Sequence, residues 1–327
     1  MGKRFGWVLC IFVVLITMVF ATQALAKTIK LKAVSAWPLR YPSVQTYKQW
    51  VKAVNEKSKG RIEIEIIGGP EVTPMPEQVG ALKRGVFDIL QTAAGYYMGM
   101  IPESEAFGLS RISPTEEREN GFTGLMVEIH KKHGLMYLGR SQGLVPLGVL
   151  CLKNKITRPQ ELKGLKIRTV KIYDAFMREL GAVPVTIPVP EIYTSLERGL
   201  VDGFVQPLAG GFTRLGFHEV VNYIVKNYFY QIPSVILMNL KTLNKLPEQD
   251  RNLLTATLKE MEPLFVQQTR KIHDTEFQKA QEKGVKIIEF SPEDGKWFVD
   301  TAYRVSWENL AKKAPENVSK LRKLSTK

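Results

Sequence analysis

Two stretches of this chain, "MPEQVGALKRGVFDI" at 75–89 and "VPEIYTSLERGLVDG" at 189–203, share Pro-Glu, Leu, Arg-Gly and Asp at identical spacing, 114 residues apart. Each shared residue has a physical task. Pro76 and Pro190 sit in the first turn of a helix, where a missing N–H is no loss, and Glu77 and Glu191 complement the positive helix end. Leu82 and Leu196 are expected to face a core. Arg84 and Arg198 occupy the last turn, where positive charge is favoured. Gly85 and Gly199 can take the left-handed conformation that stops the helix.

The same order of elements surrounds both stretches. In the first half, "TIKLKAVSAW" and "RIEIEIIGG" alternate as strands around a helical span from Tyr41 to Ser58, and "VFDILQTAA" is a third strand. In the second, "LKIRTV", "VPVTIPV" and "LVDGFVQPL" are strands, with "IYDAFMRELG" as the helix between the first two. Each half therefore reads β-α-β-α-β. Strands alternating with helices are expected to build parallel sheets, which bind ligands beyond the carboxyl ends of their strands. Those ends lie at 36–37, 91–95, 168–170 and 204–207. Two related α/β lobes presenting these ends to each other enclose a cleft, each copy supplying one wall.

Past Gln231 the pattern changes. "SVILMNLKTLNKL" reads as strand and turn, and Pro247-Glu248 opens a long helical stretch to about Glu282, with a bend expected near Pro263. "VKIIEF" is a short strand. Ser291-Pro292-Glu293 is a helix start, and Trp297, Phe298, Tyr303 and Trp307 beyond it are expected to pack. A long helix of this kind can brace both lobes. The chain is 327 residues, enough for two lobes. The expected division is 27–146 with 232–271 for lobe 1, and 147–231 with 272–327 for lobe 2 and the C-terminal helices.

Residues 1–26 are set apart as a cleaved signal peptide. Lys3 and Arg4 precede an apolar run from Trp7 to Phe20, and Ala24 to Ala26 offer the small residues a signal peptidase reads. The run is short for a membrane span, and Cys10 lacks a lipobox. The expected mature chain starts at Lys27 and is exported to the periplasm. There the one remaining cysteine, Cys151 in an apolar strand, can form no intramolecular disulfide and is expected to be an inert buried thiol. The net charge of +14 is spread over scattered lysines with no aromatic-basic motif, so nucleic acid is not the expected partner. Small anions fit that charge better.

Catalytic signatures are sparse. His130 and His133, with Glu128 nearby, have a spacing that can ligate a metal, but "EIHKKHG" reads as a solvated, lysine-rich helix end with no HExxH pattern. Glu116-Glu117 follow Pro114 at a charged helix start, where solvation accounts for them. No GxSxG elbow or phosphate loop is present. A binding protein without cofactor or metal is expected rather than an exported enzyme. An ABC importer or a sensor is an alternative destination for such a protein.

At "ELKGLKIRTV" followed by "VPEIYTSLERGLVDGFVQPL" the chain resembles the extracytoplasmic solute-binding subunit of TRAP (tripartite ATP-independent periplasmic) transporters, over essentially all of the mature chain. The resemblance implies an α/β, bilobal, periplasmic-binding-protein-like fold of type II, closing on a small organic carboxylate and delivering it to a small and a large membrane subunit. It implies neither a nucleotide site nor catalysis. It also implies that the arginine of the "KGLKIR" strand, Arg168, pairs with the ligand carboxylate. A guanidinium suits that role because its planar fork matches two carboxylate oxygens.

Two departures from the family pattern shape the ligand. Many acid-binding members carry a second arginine twenty residues before the first, where this chain has Gly148. Members often have "QENP" after "VDG", where this chain has "FVQP", placing Phe204 and Gln206. One cation fewer weakens a dicarboxylate or sialic-acid reading, so a monocarboxylate with an apolar or aromatic body is expected. Trp37, Tyr96, Tyr97, Tyr173 and Phe212 are candidate pocket aromatics. By the same matching Ala93 reaches the cleft, and one of Gln91 and Thr92 points inward, since strand residues alternate.

Overall fold

The computed structural model describes residues 28–326, so the signal-peptide reading of 1–26 lies outside the described residues. The first half runs β1 (Ile29–Ser35), α1 (Gln45–Lys57), β2 (Ile62–Gly68), α2 (Gln78–Arg84) and β3 (Ile89–Ala93). Three helices follow: α3 (Ala106–Leu109), α4 (Pro114–Glu119) and α5 (Phe122–Lys132). Then come β4 (Leu135–Arg140) and β5 (Pro146–Leu152). The second copy is β6 (Lys166–Thr169), α6 (Lys171–Glu179), β7 (Val183–Thr186), α7 (Ile192–Glu197) and β8 (Gly203–Val205). The chain continues through β9 (Tyr223–Gln231), β10 (Ser234–Asn239), α8 (Leu240–Lys245), α9 (Glu248–Glu282), β11 (Lys286–Ile288), α10 (Pro292–Lys313) and α11 (Pro315–Leu324).

The repeat is visible bond by bond. A one-turn 3₁₀ start, Met75–Glu77 or Val189–Glu191, leads into α2 or α7. Gly85 and Gly199 then take φ of 81° and 70°, the left-handed region that a side chain resists. Their N–H groups donate back to Leu82 O and Leu196 O. The shared aspartates do the same work too. Asp88 accepts from the Lys32 N–H and Asp202 from the Lys166 N–H, each at 2.8 Å, which ties the entry of the third strand to the first. Leu82 and Leu196 are fully buried.

The sheets are mixed where the sequence suggested parallel ones. β1 pairs in parallel with β2 and β3, and β6 with β7 and β8, as the repeat requires. Each trio is then extended by an antiparallel strand from elsewhere in the chain. The orders are β2-β1-β3-β10-β4 and β11-β9-β5-β8-β6-β7. β10 lies against β3, and β5 against β8. β9 leads to β10 and β4 to β5 by short links from one sheet to the other, so β10 and β5 enter at the tip ends of β3 and β8 and run antiparallel to them.

Helix α9 runs unbroken through Pro263 and serves both lobes. Near its start Arg61 pairs with Asp250 at 2.9 Å and the Trp50 indole donates to Leu254 O. Near its end Glu276 accepts from the Thr213 N–H and hydroxyl at 2.7 and 2.8 Å. α10 begins at a Ser291 cap that accepts from the Asp294 N–H, and it buries Phe298 against Phe176 and Phe229. Among the described residues no helix is long and apolar enough to cross a membrane.

Two surface readings from the sequence are overturned. His130 is fully buried: Nδ1–H donates to Met126 O at 2.6 Å and Nε2 lies 3.0 Å from the Tyr97 hydroxyl. Glu117 is also fully buried, paired with Arg140. Both helices carry their charged faces outward, but one ionisable residue on each turns into the core, where a built partner satisfies it.

Candidate functional site

The carboxyl ends of the twin strand sets converge. Trp37 follows β1, Ala93 ends β3, Arg168 lies near the tip of β6 and Gln206 follows β8. All four line one cavity, joined by Tyr173 from the first turn of α6 and by Tyr96. The space is about 780 Å³ counting its open mouth. Arg168 is the only charged side chain among its lining residues, and no Asp or Glu lines it.

Arg168 is 2% exposed. Its Nε donates to Ile187 O at 2.7 Å, and Nη1 donates to Val205 O and Gln206 Oε1, both at 3.2 Å. Nη2 makes no hydrogen bond to a described residue. The guanidinium is thus fixed from behind, with one edge unclaimed. Arg118 and Arg140 provide the contrast. Arg140 pairs with Glu117, and Arg118 with Glu262. Burial alone pulls both guanidiniums down, but their carboxylates more than reverse this, and both pKa values end above the ordinary arginine range. Arg168 has no such partner among the described residues, and burial leaves its pKa lowered. A buried cation without a counter-ion is costly, by several kcal/mol in general, and a bound anion removes that penalty.

The remaining walls are aromatic and aliphatic. Trp37 and Tyr96 meet with ring centroids 6.2 Å apart, and Tyr173 stacks on Tyr230 at the same distance. Burial raises the pKa of Tyr96, with Arg168 partly opposing, and raises that of Tyr173 further. Both phenols stay neutral, so they offer hydroxyls and not charge.

Six of the residues singled out from sequence do not line the cavity, among them Tyr97, which packs edge-on against His130 with its hydroxyl 3.0 Å from Nε2. Gln91 is buried in a polar brace: its amide donates to Ser43 O at 2.8 Å and accepts from the Ser35 hydroxyl at 3.2 Å. It therefore acts on the site through Ser43, which does line the cavity. Thr92 is buried, its hydroxyl without a partner. Phe204 and Phe212 sit in a core cluster with Phe217, the Phe204–Phe217 centroids 4.9 Å apart. Phe204 stands level with Arg168 in the sheet register. The arginine is long enough to reach the strand tip, whereas the phenyl ring stays below it. Gly148 is fully packed: a Cβ there would lie 2.4 Å from Phe229 Cε2. Sequence reading missed Ser43 and Gln142, both in the lining. Gln142 follows β4, and only the pairing of β4 with β10 brings it to the cleft.

Two lobes and one buried arginine without a carboxylate partner in a largely apolar cleft define a bilobal solute-binding protein for an anion. The profile of the family described as "Bacterial extracellular solute-binding protein, family 7" matches residues 33–313, and the chain belongs to that family. Its members are binding proteins and not enzymes. Among relatives, the chain is 22% identical over 304 residues to a "Monocarboxylate 2-oxoacid-binding periplasmic protein" of Nostoc sp., covering 90% of this chain and 83% of the relative. It is 22% identical over 257 residues to a "C4-dicarboxylate-binding periplasmic protein" of Rhodobacter capsulatus, covering 75% of each. Among solved structures, a TRAP periplasmic solute-binding protein from Colwellia psychrerythraea, with bound calcium and pyruvate, superposes with a TM-score of 0.80 at 22% identity. That match covers 91% of this chain and 93% of the other, and it supports the bilobal fold.

Proposed function

We propose that this protein captures a monocarboxylate with an apolar or aromatic body outside the cytoplasm and delivers it to the small and large membrane subunits of a TRAP transporter. The signal-like segment at 1–26 supports export to the periplasm. The observation that carries the ligand class is the solitary charge. One cation, Arg168, faces a chamber whose other walls are neutral, so one carboxylate is matched and a second finds no partner. The place where a second arginine occurs in many members is Gly148, and Phe229 fills the direction its side chain would take. Burying a second carboxylate without a partner is strongly unfavourable. The names of the Nostoc relative and of the pyruvate-bound Colwellia structure point the same way, and that of the Rhodobacter relative points to dicarboxylates.

The mechanism follows from placement. Trp37, Ala93 and Tyr96 belong to the first half, Arg168, Tyr173 and Gln206 to the second. A ligand touching both binds the closed arrangement more tightly than the open one, and so shifts the population towards closure. Gln206 holds the guanidinium through Oε1 and keeps its fork aimed.

A thermal-shift panel of mono- and dicarboxylates of matched size tests the reading. A ligand at a hundred times its Kd stabilises by about 2.7 kcal/mol, several degrees in melting temperature for a protein of this size. Monocarboxylates with apolar bodies are expected to give the largest shifts. A consistent preference for small dicarboxylates contradicts the proposal.

A further inference from the structure

A second cavity adjoins the first. It holds about 1150 Å³ of empty space, counting its open mouth, and the two share Gly95, Tyr96, Arg168, Val170 and Val189 as lining. Its outer walls are the repeat-related helix starts. Met75 and Pro76 stand on one side, and Pro188 and Val189, the repeat equivalent of Met75, on the other. Val79, Met100 and Ile187 extend the apolar surface, and Gly99 opens it: a Cβ there would meet no heavy atom within 4 Å. Lys171 is the one charged lining residue besides Arg168, and its side chain is exposed.

We infer that the site is bipartite: Arg168 holds the carboxylate at the junction, and the outer cavity receives the far end of an elongated apolar monocarboxylate that passes Tyr96. The ligand class is thus a straight-chain or aryl-substituted alkanoic acid longer than the inner chamber, rather than a short oxoacid. The inference rests on the reading of Arg168 as anchor. Three observations carry it. The arginine lines both cavities, so its free edge serves either. The outer walls are mostly methionine, valine, isoleucine, proline and glycine, which match a hydrocarbon; Thr186 and Tyr97 add neutral hydroxyls, and the rim lysine is the one further cation. The two cavities meet along one seam, sharing five lining residues. Methionine at two wall positions adapts to chains of differing shape.

The test is calorimetry with a homologous series of n-alkanoates, from three to ten carbons, on the full chain and on Gly99→Trp. Affinity of the unaltered protein is expected to climb about fourfold per methylene added within the cavity. Gly99→Trp should weaken the eight- and ten-carbon acids at least tenfold and leave the three-carbon acid within twofold. Met75→Trp, which narrows the cavity from the opposite wall, should repeat the pattern. Affinity that is flat with chain length overturns the inference, as does a uniform loss across the series in both variants. An eight-carbon α,ω-diacid binding more tightly than the eight-carbon monoacid also overturns it, since that assigns the outer cavity to Lys171. Arg168→Ala separates the two levels. If it weakens every acid alike while chain length has no effect, only the bipartite site fails; if it weakens none, the anchor itself fails.

Discussion

Arg118, Arg140 and Arg168 are all withdrawn from solvent, yet two are paired with carboxylates and one is not. The motif around "KGLKIR" made Arg168 legible from sequence; its isolation was not, because the absence of a partner is a property of the assembled walls. Glu117 shows the reverse failure. Read as a solvated helix-start charge, it is the counter-ion of Arg140, and no local pattern signals a partner twenty-three residues away. Another buried ionisable residue, Glu105, yields a prediction. Burial raises the Glu105 carboxyl to about 7, with Lys313 and Asn309 partly opposing. The folded state therefore holds this proton more tightly than the unfolded chain, where the value is near 4.5. Its contribution is complete below pH 4.5 and is lost as pH rises through 7, by about 3 kcal/mol in all. Glu105→Gln should flatten that part of the profile, so that at pH 8 the variant melts above the unaltered protein. His130, lowered to about 4 by burial, acts in the opposite sense, its contribution lost as pH falls from 6.5 towards 4. It is common to both proteins and cancels in the comparison. Parallel stability profiles from pH 5 to 8 contradict the assignment.

At the level of elements, the repeat was the most legible feature of the chain. Proline starts, glycine stops and the spacing of apolar residues are local, and the folded elements follow them closely from β1 to β3 and from β6 to β8. What the sequence concealed was which strand lies beside each trio. β10 and β5 arrive from the other sheet, and their antiparallel pairing follows from entry at the strand-tip end. The paired aspartates are testable as elements of the repeat. Each caps a neighbouring strand N–H, but Asp88 additionally accepts from the Thr242 hydroxyl at 3.0 Å. Hydrogen bonds to charged groups contribute about 1.5–3 kcal/mol, less at half-exposed sites such as these. Asp202→Ala should lower the urea midpoint by an amount equivalent to about 1 kcal/mol, and Asp88→Ala by more. Equal midpoints for Asp88→Ala and the unaltered protein contradict the capping role.

Across the whole molecule, the cleft exists because two copies of one α/β unit present their strand tips to each other while α9 holds both. The general position of the site was legible for that reason: Trp37, Ala93, Arg168 and Gln206 all come from strand ends named by the repeat. Depth was not legible. Phe204, Phe212 and Gly148 lie close in sequence to cleft residues but are sealed beneath them by aromatic packing. The central claim is that a buried, unpaired guanidinium at the tip of β6 binds the carboxylate of a small acid. Isothermal titration of Arg168→Ala and Arg168→Lys with the monocarboxylate that most stabilises the protein measures this most directly. Loss of a buried charge partner amounts to about 2–5 kcal/mol, so Arg168→Ala should bind at least about thirtyfold more weakly, with Arg168→Lys also impaired because a point charge cannot reproduce the fork. Unchanged affinity in a folded Arg168→Ala protein contradicts the account.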